Sequence, residues 1–129
     1  MLKLDFAAVS TLAAQSAAAA VADCACNGDA LAAWESFPAS LDLKQFQTIG
    51  TLMDDPYDEP TFAEYHPDGT RYDSREAPIA PRYFPYNRCE VARCLHCGRC
   101  FLRYSEAGGY FNDPRIRALQ PALLVDAPL

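Results

Sequence analysis

Residues 87–104, NRCEVARCLHCGRCFLRY, hold four of the six cysteines in the chain, and the use made of those thiols decides how the remainder can fold. At the centre is Cys94-Leu95-His96-Cys97-Gly98-Arg99. Two thiolates two residues apart can grip one tetrahedral ion from a tight turn, and the glycine that follows lets the backbone return with its amides near the sulfurs. EVAR before this motif and CFLRY after it read as the two strands that the turn joins. Reduced cysteines can also pack simply as small hydrophobes, but four within twelve positions argue for shared chemistry.

The preferred completion of the site is Cys89 and Cys100, which with Cys94 and Cys97 make a compact C-x4-C-x2-C-x2-C set. A remote completion uses Cys24 and Cys26, a C-x-C pair that would staple the N-terminal segment to the sheet. A mixed site takes His66 or His96 in one position. Over residues 89–105 the motif resembles the metal knuckle of zinc ribbons and rubredoxin-like sites. That resemblance implies a metal-bearing turn between two strands, with zinc the expected ion. The second, distant C-x2-C of those proteins has no counterpart here.

Two rival chemistries use the same thiols. Cys89, Cys94 and Cys97 match the C-x4-C-x2-C part of a plant-type ferredoxin pattern, and Cys94, Cys97 and Cys100 match the opening of the bacterial cluster-binding run. Both matches fail at the fourth ligand. An iron–sulfur cluster is therefore the alternative cofactor. Thiol–disulfide cycling at C-x-x-C is the other alternative, favoured by Arg93 and Arg99 but opposed by the strand-like CFLRY, because redox C-x-x-C sites usually open a helix. A site closed by four thiolates keeps no position for water, so zinc here would be structural and no catalytic residue is assigned. Neither an H-E-x-x-H motif nor a phosphate-cradling glycine loop occurs in the sequence.

At 129 residues, half of them hydrophobic, the chain suits a single α+β domain spanning 1–129. Residues 1–37 are expected to form a helical hairpin. Its first helix covers residues 2–23 with an apolar stripe at Leu2, Phe6, Val9, Leu12 or Ala13, Ser16 and Ala20; its second covers residues 30–36 with Leu31 and Trp34 inward. Gly28 would end the first helix and Asp29 would cap the second. Residues 41–129 are expected to form a small antiparallel sheet with the knuckle at 89–100. Its parts are a helical turn and strand in SLDLKQF and QTIGTLM, a hairpin around His66-Pro67-Asp68-Gly69, and three short runs, FLRYS, GYFN and RIRAL.

The net charge of −6 conceals two unlike halves. Residues 1–80 carry 4 basic against 13 acidic side chains, and residues 81–129 carry 7 against 4. Arg82, Arg88, Arg93, Arg99 and Arg103 interleave with aromatic residues, a pattern that nucleic acid recognition also uses, but the acidic pI of 4.7 opposes that footprint. Nucleic-acid binding is the third-ranked function. Glu64, His66 and Asp68 read as a polar turn more readily than as an acid–base site. No apolar run reaches membrane-spanning length, and Asp5 lies where a secretory signal needs positive charge, so the expected compartment is the cytoplasm. The first-ranked function is a non-enzymatic protein-interaction module with a structural metal, of the inhibitor or immunity kind, whose acidic surface suits a basic protein partner. A helix pair ahead of an aromatic sheet is similar in outline to small bacterial immunity proteins.

Overall fold

The computed structural model describes residues 1–19, 24, 26, 29–108 and 111–129. Among these it holds one α-helix, α1 (Phe6–Ala18), and five strands: β1 (Glu35–Ser36), β2 (Phe46–Thr51), β3 (Glu90–Cys94), β4 (Cys100–Gly108) and β5 (Phe111–Ala118). The strands make one antiparallel sheet in the order β1-β5-β4-β3-β2. Short 3-10 turns at Asp29–Ala32, Leu43–Gln45, Tyr86–Arg88 and Pro121–Leu123 connect the pieces. The α+β class therefore holds.

The helical hairpin does not. Helix α1 starts where the Asp5 carboxylate accepts from the Ala8 N–H at 2.8 Å, and Val9, Leu12, Ala13 and Ser16 form its buried stripe. The residues before it extend along the end of β2: the Leu4 N–H donates to Thr51 O, and the Thr51 N–H to Leu2 O. Leu2 is thus exposed and outside the helix. Residues 30–36 form no second helix, because the 3-10 turn stops at Ala32 and Glu35 and Ser36 pair with Ile116 and Arg115 of β5. Ala20 and Gly28 lie outside the described residues.

The sheet is core on both faces. Because side chains alternate along a strand, Val91, Cys100, Leu102 and Tyr104 face α1 and pack with Cys89, Val9, Leu12, Trp34, Ile79 and Tyr86. On the opposite face Ala92, Cys94, Phe101 and Ile116 pack with Phe46, Leu31 and Leu41. Trp34 anchors an aromatic group on the α1 side, stacked on Tyr72 at 6.1 Å and edge-on to Tyr104 at 5.0 Å. Beside it Arg117 is fully buried. Its guanidinium donates to the carbonyls of Ala32, Arg75 and Ala77 at 2.9 to 3.1 Å and to the Tyr86 hydroxyl, so every arm of the fork has an acceptor.

The hairpin expected around residues 61–74 is only its turn. Gly69 has φ +79° and its N–H donates to His66 O, but no strand flanks it. Its aromatics pack on neighbours instead, Phe62 on Phe84 and Tyr65 on Tyr83. The expected three-run meander is two longer strands, and Asp113-Pro114 lies inside β5. A strand tolerates this proline where it need only supply a carbonyl, and Pro114 O accepts the Phe37 N–H at 2.7 Å.

Candidate metal centre

Strand β3 ends at Cys94 and β4 begins at Cys100, so the intervening turn is the knuckle. Its backbone is closed by Cys94 N–H to Arg99 O and Gly98 N–H to Cys94 O, both 2.8 Å, with Gly98 at φ +82°. A side chain at that φ would be strained, which accounts for the glycine. The turn aims its amides at the sulfurs: those of His96 and Cys97 reach Cys94, and that of Arg99 reaches Cys97.

Into this turn come Cys24 and Cys26. The sulfurs of Cys24, Cys26, Cys94 and Cys97 all lie within 4.8 Å of one another. Cys24 Sγ is 3.6 Å from Cys94 Sγ, Cys26 Sγ is 3.3 Å from Cys97 Sγ, and Cys24 and Cys26 are 3.2 Å apart. Metal–sulfur bonds of about 2.3 Å in a tetrahedron place sulfurs about 3.8 Å apart, so the group has the dimensions of a single-ion site. Cys26, Cys94 and Cys97 are buried, and Cys24 is partly exposed.

No known protein family matches the chain, and no curated protein or solved structure shows significant similarity to it.

Gln45 is the polar neighbour of the cluster. Its side-chain amide lies 3.4 Å from Cys24 Sγ and 3.2 Å from Cys94 Sγ, while its backbone carbonyl accepts the Leu95 N–H at 2.7 Å. It thus touches both chain segments that supply sulfur. Burial by itself raises the Cys94 thiol, but the Gln45 amide, the backbone N–H groups of Cys97 and His96 and the Cys26 thiol outweigh it and lower its pKa to about 6. Burial pushes Cys26 far up, reinforced by its neighbouring thiols, and raises Cys97 against the pull of the Arg99 amide.

The sulfurs of Cys89 and Cys100 are not in the group. Their residues lie on the α1 face of the sheet, where Cys89 Sγ donates to Pro85 O at 3.2 Å and the Cys100 N–H donates to Ser16 Oγ at 2.8 Å. Burial raises both thiols, with Arg88 and Arg93 offsetting part of the effect. The pleat separates them from the knuckle: Cys100 lies opposite Arg93 in the β3–β4 register, so it shares the face of Arg93 and not that of Cys94. Neither histidine joins the sulfurs. His66 is engaged by Thr70 Oγ1 at 2.7 Å and Glu64 Oε1 at 2.8 Å, and His96 is exposed on the turn.

Of the arginines interleaved with aromatics, Arg88 and Arg103 are partly buried against the fold, while Arg82 is exposed. Arg88 sits over the rings of Phe62 and Phe84 at 4.3 and 4.8 Å and donates to Pro60 O and Thr61 O. Arg103 pairs with Glu90, Arg82 with Asp126, and Arg93 donates to Gln15. With Arg115 on Asp113, these contacts give Arg82, Arg103 and Arg115 each a carboxylate from the same half of the chain. Two open clefts, of about 760 and 630 Å3, flank the acidic loop around residues 54–59, and no cysteine lines either. No helix among the described residues is long and apolar enough to cross a membrane.

Sequence reasoning missed Gln45 and Arg117. Nothing in SLDLKQF distinguishes Gln45 from an ordinary surface glutamine, and RIRAL gives Arg117 no mark of burial.

Proposed function

We propose that the chain is a non-enzymatic module in which one zinc ion, bound by Cys24, Cys26, Cys94 and Cys97, staples the segment after α1 to the β3–β4 turn. The observation that carries this reading is the convergence of four sulfurs from two segments some 70 residues apart on a single-ion geometry. Sulfurs this close favour a mononuclear site over an iron–sulfur cluster, which spreads its thiolates over several irons. Four thiolates fill a tetrahedral shell, so the ion would contribute folding free energy rather than Lewis acidity. A mononuclear iron fits the same sulfurs, and zinc is favoured because the tetrahedral thiolate set needs no redox partner. The reducing cytoplasm is the compartment in which four free thiols would persist for the metal.

Protein interaction is the biological half of the proposal. It is supported by the acidic balance of the first 80 residues and by Tyr57, at 94% exposure on the acidic loop. Elemental analysis and a visible spectrum of protein purified anaerobically without chelator test the metal. About one colourless zinc per chain is expected for a closed site. Iron with sulfide would replace this reading with electron transfer, and iron alone would point to a rubredoxin-like centre. Pull-down from the native host tests the partner: a stoichiometric basic protein is expected, and RNA alone would refute the interaction reading.

A further inference from the structure

Resting on the metal-site reading above, we propose that the centre is an oxidant-labile clasp, in which two disulfides, Cys24–Cys94 and Cys26–Cys97, take the place of the ion and hold the same segments together. The oxidant class is a hydroperoxide. The sulfurs of the two pairs stand 3.6 and 3.3 Å apart. A disulfide bond is about 2.05 Å long, so each sulfur need move by less than about 1 Å to close either bridge. The fold already holds the partners side by side: the Gln45 amide contacts Cys24 and Cys94 together, and the knuckle amides fix Cys94 and Cys97 in their directions.

The local alternatives are worse served. Cys24 and Cys26 are 3.2 Å apart, but a bridge between them closes a ring around a single intervening residue, which strains the disulfide dihedral. A Cys94–Cys97 bridge leaves Cys24 and Cys26 only each other, so oxidising all four thiols that way requires the same strained ring. Cys89 and Cys100, buried on the other face of the sheet, stay out of the exchange.

Cys24 is the point of entry, since it is partly exposed while the other three ligands are buried. Its sulfur attacks the peroxide O–O bond, taking one oxygen as a sulfenic acid, and the second oxygen leaves as water after protonation. The Cys94 sulfur then displaces that hydroxyl, which also leaves as water, and the S–S bond forms. Each disulfide thus draws two electrons from its two thiolates, reduces one peroxide and consumes two protons. The same sequence at Cys26 and Cys97 removes the last donors, and the ion departs as a divalent cation.

The test is titration of the zinc-loaded protein with hydrogen peroxide, with released zinc followed by a colorimetric chelator and the product digested with trypsin without reduction. Trypsin places Cys24 and Cys26 in peptide 4–44 and Cys94 and Cys97 in peptide 94–99. Expected are one zinc released per about two peroxides, peptides 4–44 and 94–99 joined through two disulfides with the stated pairing on fragmentation, and a retained cooperative melt. Separate peptides with internal disulfides, or zinc retained while thiols reach sulfinic acid, would overturn the clasp and leave the metal site standing. Failure of the reduced, anaerobic protein to take up zinc at all would sink the metal reading and the clasp with it.

Discussion

Replacing cysteines one at a time separates the two possible ligand sets, because each set predicts opposite outcomes for the same variants. Cys24 is partly exposed, so Cys24→Ser sacrifices little packing, and what it removes is one of the proposed metal ligands. Apparent binding free energies of structural zinc sites run to about 10–16 kcal/mol, comparable with the whole stability of a domain at about 5–15 kcal/mol. Cys24→Ser is therefore expected to be isolated without stoichiometric zinc and to melt where the wild-type protein melts in chelator, tens of degrees below the zinc form. Cys89→Ala and Cys100→Ala remove one buried sulfur each from the α1-side core. Loss of one methylene-sized group and the small void it leaves costs about 1–2 kcal/mol, or about 4–10 °C for a domain of this size. Both should keep a full zinc complement. Zinc content by mass spectrometry and thermal melts with and without chelator read both quantities. If Cys100→Ala emerged metal-free while Cys24→Ser kept its zinc, the proposed ligand set would be refuted and the compact set restored.

Arg117→Met should cost about 1–3 kcal/mol in urea unfolding, because it strips their guanidinium donor from the carbonyls of Arg75 and Ala77, while Ala32 O keeps the Gln120 amide and the Tyr86 hydroxyl keeps the Trp34 N–H; Arg117→Lys should recover only part, and a neutral Met variant would show that the site readily rehydrates. Gly50→Ala should destabilise by about 1–3 kcal/mol, since a Cβ there would stand 2.6 Å from Leu2 O and 2.8 Å from Leu4 Cγ. An unchanged melting temperature would mean that residues 2–4 move aside freely. Metal uptake should weaken with acid and release protons: near neutral pH Cys26 and Cys97 are held protonated while Cys94, at about 6, is already ionised. From these three thiols uptake displaces about two protons above pH 6 and a third below it, so affinity should fall more steeply on the acid side. Proton release in weak buffer that stays constant from pH 5 to 8 would contradict that account.

The strands flanking the knuckle were legible because EVAR and CFLRY join β-branched and aromatic residues to a glycine turn, and β3 and β4 lie there. The hairpin of helices was not. Leu31 and Trp34, three apart, suit a helical face equally with a 3-10 turn that hands Trp34 to an aromatic cluster, and only the docking of Glu35 and Ser36 on β5 decides between them. Pro114 illustrates the opposite error. A proline reads as a strand break in sequence, yet here it needs only to lend its carbonyl to Phe37.

The grouping of the sulfurs was closer to the surface of the sequence than proximity suggested. Once EVARC and CFLRY are strands, their period of two sorts the thiols by face. Cys89 and Cys94 are an odd number of residues apart and fall on opposite faces, and pairing Ala92 with Phe101 puts Cys100 opposite Arg93, again away from Cys94. Nearness along the chain, which made C-x4-C-x2-C-x2-C look like one site, is therefore what a pleated sheet undoes. Of six cysteines, parity removes two from the knuckle and leaves the C-x-C pair as the only other thiols able to reach it. What the sequence withheld was the path of the chain that brings Cys24 and Cys26 to that face. Helix α1 packs on one face of the sheet, and Cys24 and Cys26 lie with the knuckle sulfurs on the other, a juxtaposition that no periodicity in the alanine-rich stretch announces.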